Sequence, residues 1–210
     1  SWITSGPVAK YMILFAMTDP DAGTKGVTAF LLDAEQDGLI RGKVEPKLGI
    51  RASATCEIEL DGYRCPAANR LGGEGDGFRI AMTALDGGRI GIASQATGIG
   101  QACLDESIRY SKERKQFNRF LSSFQAISWM ITDMATEVEA ARLLTLQAAA
   151  QKDLLLPFTR EASIAKLYSS EMANRAAYSA LQVHGGYGYT RHYKVERLYR
   201  DARVTTLYEG

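Results

Sequence analysis

The chain is short of cysteine, of long apolar runs and of net charge, and each shortage excludes a class of protein. Its three cysteines, Cys56, Cys65 and Cys103, lie far apart and form no CxxC pair, which argues against a disulfide framework and a zinc site. No apolar run reaches the roughly 20 residues that span a bilayer, and the opening SWITSGPVAK lacks the order of a signal peptide. We therefore expect a reducing compartment and no integral membrane segment.

The charges balance, with 25 Lys and Arg against 24 Asp and Glu and a net charge of +1. This balance gives no reason to expect nucleic acid as a partner. The only histidines, His184 and His192, have no companions at metal-ligand spacing, so no metal site is expected. Because the chain opens on Ser1, already in strand-like sequence, we interpret it as a piece of a longer protein.

The pattern of apolar and turn-forming residues changes near residue 70. Before it, β-rich runs alternate with turn clusters such as DPDAGTKG and EQDG, which predicts an antiparallel β domain over 1–70. After it, helical periodicity predicts an antiparallel bundle over 71–210. Thr159 is expected to cap the third long helix, and Gly185 and Gly186 to end it. The predicted strands are 11–17, 27–32 and 54–60, and the predicted helices are 78–114, 123–153, 159–183 and 195–203.

Three stretches suggest chemistry, each with a plain structural alternative. RYSKERKQFNR (109–119) holds five basic residues at a predicted helix end. Cations are favoured near a helix C-terminus without any ligand. The alternative interpretation is that these side chains form a clamp for a phosphate group. QVHGGYGYTR (182–191) follows a helix instead of a strand, so the dinucleotide fingerprint fails and a glycine C-cap explains part of it. Trp2 is either a core residue or, with Thr4 on the same strand face, a wall for a flat ligand.

Eight stretches in order along nearly the whole chain resemble the acyl-CoA dehydrogenase family. They are WIT (2–4), KLGIRAS (47–53), LGGEGDGF (71–78), LDGGRIGIASQATGIGQA (85–102), RKQF (114–117), FQAI (124–127), QVHGGYGYT (182–190) and RLYRDARVTTLYEG (197–210). The resemblance implies an α+β, multi-domain fold: an antiparallel β-barrel-like domain followed by an up-down antiparallel helical bundle. It also implies that the family's N-terminal helical domain and last C-terminal helix lie outside this chain.

The resemblance assigns roles residue by residue. FAD is expected as the cofactor, bound with acyl-CoA between domains, with Trp2 beside its ring system and Thr4 near flavin N5. The expected FAD-binding residues are Trp2, Ile3, Thr4, Arg114, Gln116, Phe117, Gln125, Gln182, Val183, His184, Gly185 and Gly186. Of these, Arg114, Gln116, Phe117 and the loop 182–186 are expected to contact the FAD of a neighbouring subunit in the dimer. The expected acyl-CoA-binding residues are Asp86, Gly87, Gly88, Arg89 and Gly210.

Glu209 matches the catalytic base of most of the family. Removing a weakly acidic proton beside a thioester requires a closely held, desolvated carboxylate. Some members place the base just before the arginine of the pocket-lining helix, where this chain has Gly88. The resemblance therefore implies that Glu209 abstracts the α-proton while the β-hydride passes to flavin N5. Without the resemblance, Glu209 is interpreted as a solvated terminal charge.

The implied activity is α,β-desaturation of an acyl-CoA to the trans-2-enoyl-CoA by a homotetramer, with electrons passed to an electron-transfer flavoprotein. The expected compartment is a bacterial cytoplasm or the mitochondrial matrix. An acyl-CoA oxidase on the same scaffold and a non-catalytic helical scaffold subunit remain as alternatives. The stretch GRIGIASQATGI is most similar to short-chain and short-branched members.

Overall fold

The structure is a computed structural model that describes residues 2–210. Its contacts divide the chain into two compact units, Ser1–Ala84 and Leu85–Gly210. The division lies inside a helix, and the domain boundary at residue 70 stays a prediction. The chain combines β-sheets with long helices, so the α+β class is confirmed.

Unit 1 contains two separate three-stranded antiparallel sheets, ordered β1-β5-β4 and β2-β3-β6. Among the residues described here, the strands do not close into a barrel. Sequence patterning misses β4 and the two-residue β6. The β4 sequence LIRGKV carries charges and a glycine in place of alternating apolar residues, and five of its six residues are exposed. The strands are β1 (Trp2–Thr4), β2 (Tyr11–Met17), β3 (Val27–Asp33), β4 (Leu39–Val44), β5 (Thr55–Leu60) and β6 (Arg70–Leu71).

The glycine-rich segment after β6 packs closely on β3. Gly75 has a φ of 84° and donates its N–H to the buried Thr28 hydroxyl at 3.0 Å. A Cβ on Gly77 would lie 2.7 Å from the Thr28 carbonyl carbon. Glycine is required at Gly77 by this close approach and at Gly75 by the left-handed backbone.

Unit 2 is built from the predicted three long helices and one short one. They are α1 (Gly77–Glu113, in this unit from Leu85 onward), α2 (Gln125–Asp153), α3 (Thr159–His184) and α4 (Val195–Ala202). A hairpin of β7 (Lys115–Gln116) and β8 (Arg119–Phe120) joins α1 to α2. Sequence patterning misses this hairpin, since two-residue strands show no alternation.

The predicted cap of α3 is wrong at the start of the helix and correct at its end. The residue before the helix is Phe158, which makes no side-chain cap, so the prediction that Thr159 caps α3 is wrong. Thr159 is the first residue of the helix itself, so its side chain does not cap the helix. Its hydroxyl donates instead to the carboxylate of Asp86 on α1 at 2.5 Å. At the other end Gly185 has a φ of 58° and forms the C-cap, as predicted.

The core of unit 2 is made largely of small side chains. Met172 and Val138 are the largest of its fully buried residues, and burying each contributes about 1.5–3 kcal/mol. Small residues let helices approach closely, and a Cβ on Gly100 would lie 2.6 Å from Met172 Sδ and 3.1 Å from Val138 Cγ2. The main cluster contains Ala96, Ile99, Cys103, Leu104, Met134, Val138, Ala141, Met172, Ala173, Ala176, Ala177, Ala180, Val195, Leu198 and Ala202.

No helix within residues 2–210 combines the length and apolar character needed to cross a membrane.

Gly98 and Gly100 make a matched pair for testing this packing. Gly98 is exposed, and the position that a Cβ would take there has no heavy atom within 4 Å, whereas Gly100 is buried against Met172 and Val138. We expect Gly98→Ala to stabilise the protein by up to about 1 kcal/mol through helix propensity. Gly100→Ala should destabilise it by about 1–3 kcal/mol through overpacking. Urea unfolding measures both, and equal stability of the two variants would contradict the packing.

Candidate functional site

The carboxylate of Glu209 lies directly against Gly88 on α1. A Cβ built on Gly88 would collide with Glu209 Oε2. Glu209 itself is half-buried. The position that would otherwise carry a side chain is therefore occupied by the Glu209 carboxylate.

Glu209 and Gly210 both have left-handed backbone, with φ of 60° and 88°. For a glutamate this conformation is unfavourable, so tertiary contacts must hold it. On one side the Tyr208 hydroxyl donates to Gln95 Oε1 at 2.7 Å. On the other, Lys166 Nζ donates to the main-chain oxygen of Gly210 at 2.7 Å.

Arg89 and Asp86 form a half-buried ion pair beside Glu209. Arg89 Nη1 donates to Asp86 Oδ1 at 2.8 Å. A Cβ on Gly210 would lie 2.8 Å from Arg89 Nη2, so the guanidinium covers Gly210. Of the residues predicted for acyl-CoA binding, the structure thus brings Gly88, Gly210 and Arg89 with its partner Asp86 together around the predicted base. Gly87 instead faces α2, where a Cβ on it would lie 3.3 Å from Lys152 Nζ.

Lys166 is the member of this site that the sequence analysis misses. It is only 5% exposed, and burial lowers the pKa of Lys166, with the Arg89 charge acting in the same direction and Glu209 and Glu171 opposing it. A signal does exist in the sequence. Lys166 lies at helical spacing in the buried stripe of α3 that runs through Ala162 and Ser169, where an unpaired lysine is rare.

A second feature of unit 2 is an open cavity of about 530 Å³ at the C-terminal end of α3. Arg114 lies at its edge, with the guanidinium carbon 5.1 Å from the centre of the Tyr187 ring. The predicted residues that line the cavity are Arg114, Gln116, Gln182, Val183, His184, Gly185 and Gly186. The lining residues without a predicted role are Tyr110, Leu121, Ile127, Tyr187 and Thr190.

His184 is the most informative residue of this cavity. It is 2% exposed and stacks on Tyr110 with ring centres 4.2 Å apart. Its Nδ1 lies 2.8 Å from the Ala180 carbonyl oxygen, which only accepts, so Nδ1 is the donor. Within the described part of the chain Nε2 is buried without a partner. A buried acceptor without a protein partner can be satisfied by a water molecule or by a ligand that donates to it.

Phe117 and Gln125 do not line the cavity. Phe117 and Asn118 form the tip of the β7–β8 hairpin with φ of 52° and 62°, the signs of a type I′ turn. Phe117 is 86% exposed there, and its ring meets Phe124 edge-on at 6.3 Å. Gln125 is the exposed first residue of α2. FAD contacts for both stay predictions.

Trp2, Ile3 and Thr4 lie in unit 1 on β1, paired with Glu57, Cys56 and Thr55 of β5. Trp2 is 75% exposed and Thr4 is exposed as well, while Ile3 between them is half-buried. Trp2 and Thr4 therefore share one open face of the strand, and the interpretation of Trp2 as a core residue is wrong.

No group of three or more metal-ligating side chains occurs in the part of the chain that the structure covers.

Comparison with known proteins identifies the family. The family model "Acyl-CoA dehydrogenase, middle domain" matches residues 1–63, and "Acyl-CoA dehydrogenase, C-terminal domain" matches residues 75–210. The chain belongs to the acyl-CoA dehydrogenase family.

Individual relatives align along the whole of this chain. It is 48% identical over 210 residues to the caffeyl-CoA reductase-Etf complex subunit CarC of Acetobacterium woodii. It is 49% identical over 209 residues to the short-chain specific acyl-CoA dehydrogenase of Clostridium acetobutylicum. Each alignment covers 100% of this chain and 55% of the relative.

The fold is also that of a solved relative. The structure of butyryl-CoA dehydrogenase from Megasphaera elsdenii has a TM-score of 0.98 and 48% identity, covering 100% of this chain and 55% of that one. The chain therefore spans about half the length of the relatives it matches.

The cavity residues fit a flavin nucleotide, as the family implies. Arg114 offers a planar fork of donors suited to phosphate oxygens, and the unpartnered His184 Nε2 offers an acceptor for a hydroxyl or amino group. The glycines at 185 and 186 have no heavy atom near a Cβ position, so the backbone is open to close approach.

His184 should make stability depend on pH. Burial lowers the pKa of His184, and the bond to Ala180 opposes this only in part. The unfolded chain then binds the proton more readily, so the stability that His184 contributes is present above about pH 6.5 and is lost as the pH falls below it.

We expect His184→Gln to flatten the fall in Tm between pH 7.5 and 5.5, because the replacement side chain does not titrate. His192→Gln, at an exposed position, should keep the wild-type slope and serves as the control. The pH dependence is not due to His184 if both variants show the slope of the parent.

Proposed function

We propose that this chain is the flavin- and substrate-binding part of an FAD-dependent acyl-CoA dehydrogenase. The observation that carries the proposal is the Glu209 carboxylate held against the bare backbone of Gly88, beside the Asp86–Arg89 pair. Family membership supplies the class of reaction, α,β-desaturation of an acyl-CoA thioester to the trans-2-enoyl-CoA.

Glu209 is the proposed base that removes the α-proton. The proton beside a thioester carbonyl is weakly acidic, and a positioned carboxylate shielded from water removes it most readily. Because Gly88 has no side chain, Glu209 has no competing base from that position of α1. The main-chain N–H of Glu209 is proposed to donate to the thioester oxygen as negative charge develops there.

FAD is the proposed cofactor, and when bound it accepts the hydride from the β-carbon. Arg114 and Gln116 are proposed to hold the diphosphate side of the FAD of a neighbouring subunit, together with the loop from Gln182 to Gly186. Trp2 and Thr4 are proposed to face its ring system. Support comes from the open cavity at α3, the arginine at its edge and the unpaired His184 nitrogen.

An electron-transfer flavoprotein is the proposed redox partner, and a dimer of dimers the proposed assembly. The name of the A. woodii relative places that protein in a complex with Etf. A bacterial cytoplasm or the mitochondrial matrix is the proposed compartment. The acyl-CoA oxidase alternative predicts oxygen uptake during turnover, which an oxygen electrode measures directly.

The test of the base is Glu209→Gln, which keeps the shape of the side chain and removes the carboxylate. We expect kcat to fall about 10²- to 10⁴-fold with FAD and acyl-CoA binding retained. An anaerobic titration of the FAD-loaded protein with acyl-CoAs from four carbons upward follows bleaching of the visible flavin band. Glu139→Gln on α2, whose side chain is 63% exposed, is the matched control, and fast bleaching in Glu209→Gln would place the base elsewhere.

The test of the cofactor site is Arg114→Ala. Losing a charge-assisted bond to phosphate should raise the Kd for FAD about tenfold or more, measured by flavin fluorescence after dialysis. Arg160→Ala, at a side chain that is 82% exposed, should retain flavin like the parent. Equal flavin content in Arg114→Ala and the parent would refute a role for Arg114 in FAD binding.

A further inference from the structure

The burial of Lys166 is not explained by packing alone. It is 5% exposed on the inner face of α3, among alanines and serines. Lysine is almost never buried unless its charge is paired, because removing an ammonium from water is costly. An apolar side chain would fill this position of the stripe without that cost.

The ammonium of Lys166 meets the segment that carries Glu209. Its Nζ donates to the main-chain oxygen of Gly210 at 2.7 Å. Glu209 and Glu171 lie close enough to favour its charge, while Arg89 opposes it. Lys166 thus reaches across 44 residues of sequence to the residue that follows the proposed base.

The backbone at that place needs support. Glu209 has a φ of 60°, where a side chain with a Cβ is disfavoured, and Gly210 has a φ of 88°. If the peptide turned, the carboxylate would leave its position over Gly88. The Arg89 guanidinium limits movement of Gly210 on one side, and the Lys166 bond fixes the direction of its main-chain oxygen.

We propose that Lys166 is the positioning residue of the base: its bond to the main-chain oxygen of Gly210 holds Glu209 in the left-handed conformation that directs its carboxylate over Gly88. This role rests on the proposed function of Glu209. Lys166 takes no part in proton transfer itself, because its ammonium bonds the main chain and not the substrate position.

The test compares Lys166→Met, which keeps an unbranched stem but removes the donor, with Lys166→Arg, which keeps a charged donor. Both are made in the FAD-loaded protein, with Lys112→Met at an exposed position of α1 as the control. Steady-state kinetics give kcat and KM for the acyl-CoA that bleaches the wild-type flavin fastest. Exchange of the α-hydrogens of that acyl-CoA in D₂O, followed by mass spectrometry, measures proton abstraction apart from flavin reduction.

We expect Lys166→Met to lower kcat and the α-exchange rate together, by up to about 100-fold, as for a small displacement of a catalytic group. KM should stay within about twofold, and flavin content and Tm should show a folded, loaded protein. Lys166→Arg should recover part of the lost kcat and exchange, because it restores a cationic donor. A purely structural lysine would instead lower Tm and flavin content and leave kcat per bound flavin unchanged.

Several outcomes would overturn the proposal. One is a Lys166→Met protein with wild-type kcat per bound flavin, and another is a Lys166→Arg protein no more active than Lys166→Met. If Lys166→Met does not fold, Lys166→Leu, which also lacks a donor, is measured in the same way. We expect its kcat per flavin to lie below the wild type, and equality with the wild type would overturn the role.

The wild-type protein separates this inference from the function on which it rests. A wild type that neither bleaches its flavin nor exchanges α-hydrogens overturns the proposed function and the role of Lys166 together. An active wild type with an unimpaired Lys166→Met variant overturns only the role of Lys166.

Discussion

The close approach of helices with small side chains is the constraint on which unit 2 depends. Gly100 lets α1 lie against Met172 of α3 and Val138 of α2, and alanines fill most of the shared core. Such a core gains less from each buried side chain than a leucine-rich one. Its advantage is that α1 and α3 come near enough for Thr159 and Asp86 to bond directly, which places the start of α3 beside the Asp86–Arg89 ion pair of α1.

Charges are then concentrated where the helices meet the segment after α4. Two cations, Arg89 and Lys166, and two carboxylates, Asp86 and Glu209, lie within one small part of unit 2. Buried charges persist only when paired and hydrogen-bonded. Asp86 pairs with Arg89, and the main-chain oxygen of Gly210 accepts a hydrogen bond from Lys166. Under the proposed function, this arrangement leaves the Glu209 carboxylate to act on the substrate.

Much of the fold follows from the sequence, whereas the site follows only in part. The long helices are visible because apolar periodicity persists over 26 to 37 residues. The hairpin at Phe117 is invisible because its strands have two residues and its turn contains no glycine. Glu209 is a candidate base only through family resemblance, since a glutamate near a chain end has no distinctive local pattern. The spacing of Lys166 reveals its buried face, but no spacing rule reveals a bond to residue 210.

The contact between positions 88 and 209 explains why the proposed base would stand at one position or the other but not at both. A Cβ at position 88 already occupies the space of the Glu209 carboxylate, so two glutamates at these positions would collide. Even with room for both, two carboxylates at such short range could not remain ionised together, and one would hold a proton and lose its basicity. Glycine at position 88 therefore leaves free the space that the Glu209 carboxylate occupies.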